Sequence, residues 1–175
     1  IKDIVNEVGE PMYDFLADET GDRLAEALQK SIDEARDNGA DLVILVAHLG
    51  SSSSDTANYS SNAVVGKLSG VDAVIDGELL AWADGDEPLP FTALQTRIAR
   101  RKPGPKVLSQ TPVRVLAYDL LERDGVDLRA QPLQQRRAQL ATLLEALDDP
   151  RIALSPALHC QHWQQAAALR EQSRQ

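Results

Sequence analysis

What the 175-residue sequence has little of narrows it first. A single cysteine, Cys160, rules out an internal disulfide framework and leaves no Cys-x-x-Cys metal site. Aromatic residues make up 4% of the chain against 43% hydrophobic residues overall, so a core must be built from Leu, Val, Ile and Ala. No apolar run approaches the roughly 20 residues of a membrane span, and the longest, Leu42 to Ala47, is of strand length. Neither Gly-x-Gly-x-x-Gly nor Gly-x-x-x-x-Gly-Lys-Ser/Thr occurs, so no glycine-rich loop of that kind cradles phosphates. Positive charge is scarce too: the net charge of −9 argues against generic nucleic-acid binding. The chain opens on Ile1 with no basic-then-apolar leader, which reads as an internal or processed start.

The charge is unevenly distributed. Up to Gly77 there are five Lys/Arg against fifteen Asp/Glu, a net of −10; from Glu78 onward there are thirteen against twelve, a net of +1. Gln29 is the only glutamine of the first part, whereas the second has eleven. A switch of this kind is expected where two sequences of different origin meet, and is equally compatible with two domains of one gene.

Periodicity supplies the elements. Leu24, Leu28, Ile32 and Ala35 recur at helical spacing between Thr20 and Asn38, and Asn38-Gly39 gives the stop. Asp41 to His48 is a continuous apolar run of the buried-strand kind, Asn62 to Leu68 is a short helix, and Val71 to Ile75 is a second strand. Beyond Gly77, the pattern predicts a strand over Glu78–Ala83, a short helix marked by Phe91, Leu94 and Ile98, and a basic loop over Arg100–Lys106. It then predicts a strand over Val113–Leu121 and a helix over Leu133–Leu147 with Leu133, Leu140, Leu144 and Leu147 on one stripe. A strand over Ile152–Leu154 and a helix over Gln161–Arg174, which lacks a C-cap, complete the chain.

Two family resemblances lie on these elements. Residues 12–24 (MYDFLADETGDRL), 33–50 (DEARDNGADLVILVAHLG) and 71–77 (VDAVIDG) are similar to the bacterial 5′-nucleotidase and 2′,3′-cyclic phosphodiesterase family of calcineurin-like metallophosphatases. That resemblance implies that His48 is one ligand of a two-metal phosphoesterase site, in which a bridging hydroxide attacks phosphorus. From the residues alone, a lone His at a strand end is more often a structural or loop-anchoring group. The family's Asp-x-His, Gly-Asp and Asn-His motifs are not in the sequence, and Glu78-Leu79-Leu80 stands where its Gly-His-x-His would begin.

From Asp76-Gly-Glu78-Leu-Leu-Ala-Trp82 through Leu89-Pro-Phe-Thr-Ala-Leu-Gln-Thr-Arg-Ile98 and Val115-Leu-Ala-Tyr118-Asp-Leu-Leu-Glu-Arg-Asp-Gly125, the sequence resembles the adenylation domain of bacterial ATP-dependent DNA ligases. The resemblance implies ATP and a divalent metal as cofactors. It also implies that Glu78 holds the ribose or a metal and that Tyr118 stacks on adenine. The alternatives are a solvated strand-start carboxylate for Glu78 and a core aromatic with a polar tip for Tyr118. The covalent lysine of that family lies in a Lys-x-Asp-Gly motif, which is absent; Lys67-Leu68-Ser69-Gly70 lacks the Asp. No catalytic residue is therefore assigned. Arg97, Arg100, Arg101, Lys102 and Lys106 form a basic stretch that is either a phosphate contact or a solvated loop. His159 and His162, with Cys160, lack further ligands for a metal.

The expected fold class is α/β to α+β: an N-terminal strand–helix–strand layer joined to a mixed, mainly antiparallel nucleotidyltransferase-like fragment, with domains at 1–77 and 78–175. The two resemblances meet at Asp76-Gly77, so the chain is expected to be a chimera of two truncated enzyme domains without complete catalytic activity. The alternatives are an ATP- or adenylate-binding ligase remnant and a metal-dependent nucleotide phosphoesterase remnant. Expected partners are a weakly bound nucleotide and, through exposed sheet edges such as Leu42–Ala47, a second copy. No membrane is expected, nor nucleic acid for the isolated chain. The ligase-like half favours a cytoplasmic setting.

Overall fold

The computed structural model describes residues 16, 18–47, 61–83, 85, 87–99 and 103–172. The first helix, α1 (Asp22–Asp37), begins where the Asp18 carboxylate accepts from the backbone N–H groups of Thr20, Gly21 and Arg23, offsetting the unpaired donors of a helix start. It ends as the sequence predicts, at Asn38 followed by Gly39 with φ 84°; Ala40 N–H returns to the Ala35 carbonyl at 3.0 Å. Ala25 and Ile32 are its buried residues. Polar contacts then fasten it in place. The Arg36 guanidinium donates to the carbonyls of Ala40 and Gly70 and pairs with Asp72, whose carboxylate also accepts from Val43 N–H. One ion pair thus ties the helix end to the start of two strands.

Those strands are β1 (Ile44–Val46), parallel to the first part of β2 (Ala73–Ala81), with the short helix α2 (Ser61–Val65) between them in sequence. A mixed α/β arrangement is compatible with the expected fold class. The rest departs from expectation at Gly77. Instead of separate strands over Val71–Ile75 and Glu78–Ala83, β2 is one strand of nine residues running straight through Gly77. A Cβ at this position would lie 2.8 Å from the Leu116 carbonyl oxygen and 3.1 Å from the Ala117 Cα. Glycine is thus used here for close backbone approach and not for a break.

β2 pairs antiparallel with β3 (Val113–Arg123) along its whole length, and β3 continues through the Asp124-Gly125 turn into β4 (Val126–Asp127). The strand β5 (Ile152–Leu154) adds parallel to β3 at Val115–Ala117, giving a mixed sheet. The helices after Gly77 are α3 (Phe91–Ile98), α4 (Pro105–Gln110), α5 (Leu133–Leu147) and α6 (Trp163–Gln172). The end of the predicted basic loop is helical, because Pro105 sits at the first helical position, where its missing N–H costs nothing. The predicted leucine stripe of α5 also needs correcting: Leu140 and Leu143 are buried, whereas Leu133 is 51% exposed. Leu133 is the first residue of the helix.

The core ignores the change of composition. Ala73 and Ile75, from before Gly77, form one buried cluster with Ala117, Leu120, Leu128, Leu140 and Leu143, from after it, and Leu42, Ile44 and Ile152 pack against that cluster. Burying each of the larger members contributes about 1.5–3 kcal/mol.

Candidate functional site

The pairing of β2 with β3 is irregular in two places, and the site forms at one of them. Asp76 lies opposite Asp119 and Gly77 opposite Ala117, so Tyr118 is an extra residue on β3 with no register partner. Such a bulge re-aims a side chain. The Tyr118 hydroxyl donates to Asp76 Oδ1 at 3.0 Å. Two residues along β2, on the same side of the strand as Asp76, stands Glu78, which is exposed and opposite Leu116. The face therefore carries a half-buried phenol between two carboxylates. Burial holds the Tyr118 phenol above its ordinary range, helped by its bond to Asp76 and by the charges of Asp76, Glu78 and Asp119.

The back of the bulge is braced from α5. Arg136 grips Asp119 with two parallel bonds, Nε to Oδ1 at 2.8 Å and Nη2 to Oδ2 at 2.7 Å, and donates also to the carbonyls of Arg129 and Gln131. Both side chains of the pair are largely covered. Arg137 donates to the carbonyls of Tyr118 and Ser155. At the far end of the strand pair, the Arg114 guanidinium lies over the Trp82 ring, 4.6 Å from its centroid, and the Trp82 indole N–H donates to the Gly85 carbonyl.

Of the residues singled out from the sequence, Glu78 and Tyr118 are thus placed together on one strand pair. His48 lies outside the described residues, as do Arg100, Arg101 and Lys102. Arg97 is half-buried and donates to the Thr111 carbonyl, while Lys106 is exposed in α4. His159, Cys160 and His162 are exposed ahead of α6, and the His162 ring accepts from Gln165 N–H. Among the described residues no group of three His, Cys, Asp or Glu side chains is arranged to hold a metal ion. Nor is any helix among them long and apolar enough to cross a membrane. Asp76, Asp119, Arg136 and Arg137 were not legible as site residues. The Asp76-Gly77-Glu78 run offered a signal for the first, but an Arg-Arg pair on an amphipathic helix reads as solvated surface.

The ATP dependent DNA ligase domain family matches residues 53–175 of the chain, from ahead of Gly77 to the end. Over 74 residues, 42% of this chain, the sequence is 47% identical to a probable DNA ligase of Opitutus terrae, covering 7% of that protein. Over another 74-residue alignment it is 36% identical to DNA ligase 1 of Korarchaeum cryptofilum, covering 14% of it. A DNA ligase of Haloferax volcanii is 38% identical over 71 residues, 41% of this chain and 12% of the relative. The chain thus spans a small part of the length of these relatives. Nothing in these comparisons supports the metallophosphatase resemblance of residues 1–77 or a joined chain. With the family match covering well over half of its residues, the chain belongs to the ATP-dependent DNA ligase domain family.

Proposed function

We propose that the bulged face of β2 and β3 binds an adenine nucleotide, as a partial adenylation site. Glu78 would accept from a ribose hydroxyl and Tyr118 would offer its ring to the base. The observation that supports this best is the convergence of Glu78, Tyr118 and Asp76 at one bulge, in a chain whose relatives are DNA ligases. The donor set fits a nucleoside: an exposed carboxylate and a half-buried aromatic stand on one side of the sheet. It does not fit a divalent ion held by protein ligands alone, since the described residues offer no three-ligand group. With no Lys-x-Asp-Gly in the 175 residues, the role proposed for this chain is binding without self-adenylation. Isothermal calorimetry with ATP tests the reading. Binding should be weakened about tenfold or more by Tyr118→Ala, the loss of one stacking contact. An absence of heat at millimolar ATP removes the proposal.

We propose further that the segments on either side of Gly77 act as one folded unit, whatever their origins. The support is a strand that runs through Gly77 and a core that draws on both sides of it. The composition switch at Gly77 is compatible with either origin, and the family match that begins at residue 53 weighs against two joined chains. Limited proteolysis with mass analysis separates the cases: residues 73–81 should resist cleavage, as should the strands and helix that share their core, and the first cuts should fall elsewhere. A first cut beside Gly77 would show two separate units instead.

A further inference from the structure

The edge of β3 away from β2 changes partner along its length. β5 pairs with Val115–Ala117 and β4 with Glu122 and Arg123, and the bulge residue Tyr118 falls between them. A bulge disturbs the regular ladder locally. Arg137 reaches this one: Nη1 donates to the Tyr118 carbonyl at 2.9 Å, and Nη2 to the Ser155 carbonyl at 2.7 Å, just past β5. A planar guanidinium bound to carbonyls on two chain segments fixes both position and orientation, which a single-point donor cannot do. The neighbouring Arg136 locks the next residue of β3, Asp119, in a two-bond pair. Two consecutive residues of α5 thus hold two consecutive residues of the bulge. Without that brace, a one-residue slip of β3 would turn Tyr118 to the opposite face of the sheet.

We propose that Arg137 is a positioning residue for the nucleotide face: it holds the Tyr118 backbone in the bulge and so aims the phenol toward Asp76 and Glu78. The functional consequence rests on the nucleotide reading given above; the positioning itself does not. The Arg137 guanidinium is bonded to the Tyr118 and Ser155 carbonyls and its effect runs through Tyr118.

The test uses the full chain labelled with ring-13C tyrosine, with the Tyr118 signal assigned by its loss in Tyr118→Phe. In the parent chain the Tyr118 phenol should titrate above the ordinary tyrosine value, because it is part-buried and bonded to Asp76. In Arg137→Gln it should titrate at a lower pH, near that of a free tyrosine, and ATP binding should weaken about tenfold. Arg137→Lys, which keeps the charge but loses the planar fork, should fall between the two. Leu140→Ala serves as a control that destabilises the same helix without moving the Tyr118 titration. A folded Arg137→Gln protein with an unchanged Tyr118 titration overturns the proposal. Should that variant fail to unfold cooperatively, Arg137→Lys decides by the same criterion: a lowered titration supports positioning and an unchanged one refutes it. If the parent chain binds no ATP, the nucleotide reading falls, while the titration still decides the role of Arg137.

Discussion

Replacing Gly77 by alanine adds one methyl group at the tightest point of the sheet. The new carbon would stand 2.8 Å from the Leu116 carbonyl oxygen, 3.1 Å from the Ala117 Cα and 3.3 Å from Val115 Cγ1. Only the last of these belongs to a side chain that can rotate away. The first two are backbone, so relief requires β2 and β3 to separate locally. Gly77 is not among the glycines with positive φ, so the effect is steric and carries no conformational penalty for alanine. Overpacking of this kind costs typically 1–3 kcal/mol, and a backbone clash places it toward the upper end, ~2–3 kcal/mol. Stiffening the unfolded chain returns about 0.4–1 kcal/mol, leaving a net loss of roughly 1–2 kcal/mol. In urea unfolding followed by circular dichroism, with an m-value of about 1–3 kcal/mol/M, the midpoint should fall by roughly 0.3–2 M at unchanged slope. Gly85→Ala and Gly104→Ala, where an added Cβ meets nothing within 4 Å, provide the matched controls and should show no loss. A Gly77→Ala midpoint equal to those of the controls would refute the close-approach argument. Because the separated strands adjoin the Tyr118 bulge, the same variant should also weaken ATP binding.

Two further outcomes follow from the core and from the phenol. Leu140 is fully buried in the cluster that joins the sheet to α5, and Leu140→Ala should cost about 2–5 kcal/mol by the same urea assay. Tyr118 keeps its proton in the folded state to a higher pH than in the unfolded chain, where the ordinary value is 10.0. The stability this contributes is whole below pH 10.0 and is lost as pH rises through the folded-state pKa, since the unfolded chain then binds fewer protons. Tyr118→Phe should therefore flatten the alkaline fall in stability measured by urea midpoints between neutral pH and pH ~11. An equally steep fall in that variant would show that other groups carry it.

Much of the local structure was legible because it is dictated by short-range patterns. The α5 boundaries, Leu133–Leu147, and those of β5, Ile152–Leu154, match the periodicity that predicts them. The Asn38-Gly39 stop of α1 follows from the freedom of glycine to take positive φ, a property of one residue and independent of what surrounds it. In sequence Gly77 reads as a boundary, from a change of composition and from two resemblances that meet there, and only the strand lying across it reveals that the missing Cβ makes room for Leu116 and Ala117.

Residue types in order thus determined the elements, the acidic first part and the pairing of Glu78 with Tyr118 as candidates. The Asp-Gly-Glu and Tyr-Asp-Leu-Leu runs carried those two residues before any fold was known. Tertiary structure alone decided that they share a face, because that depends on the register of β2 against β3 and on an extra residue at Tyr118. It alone gave Asp76 its phenol and Arg136 and Arg137 their place behind the bulge. Side-chain period is local, but register is set by contacts distant along the chain, and a shift of one residue reverses every face it defines.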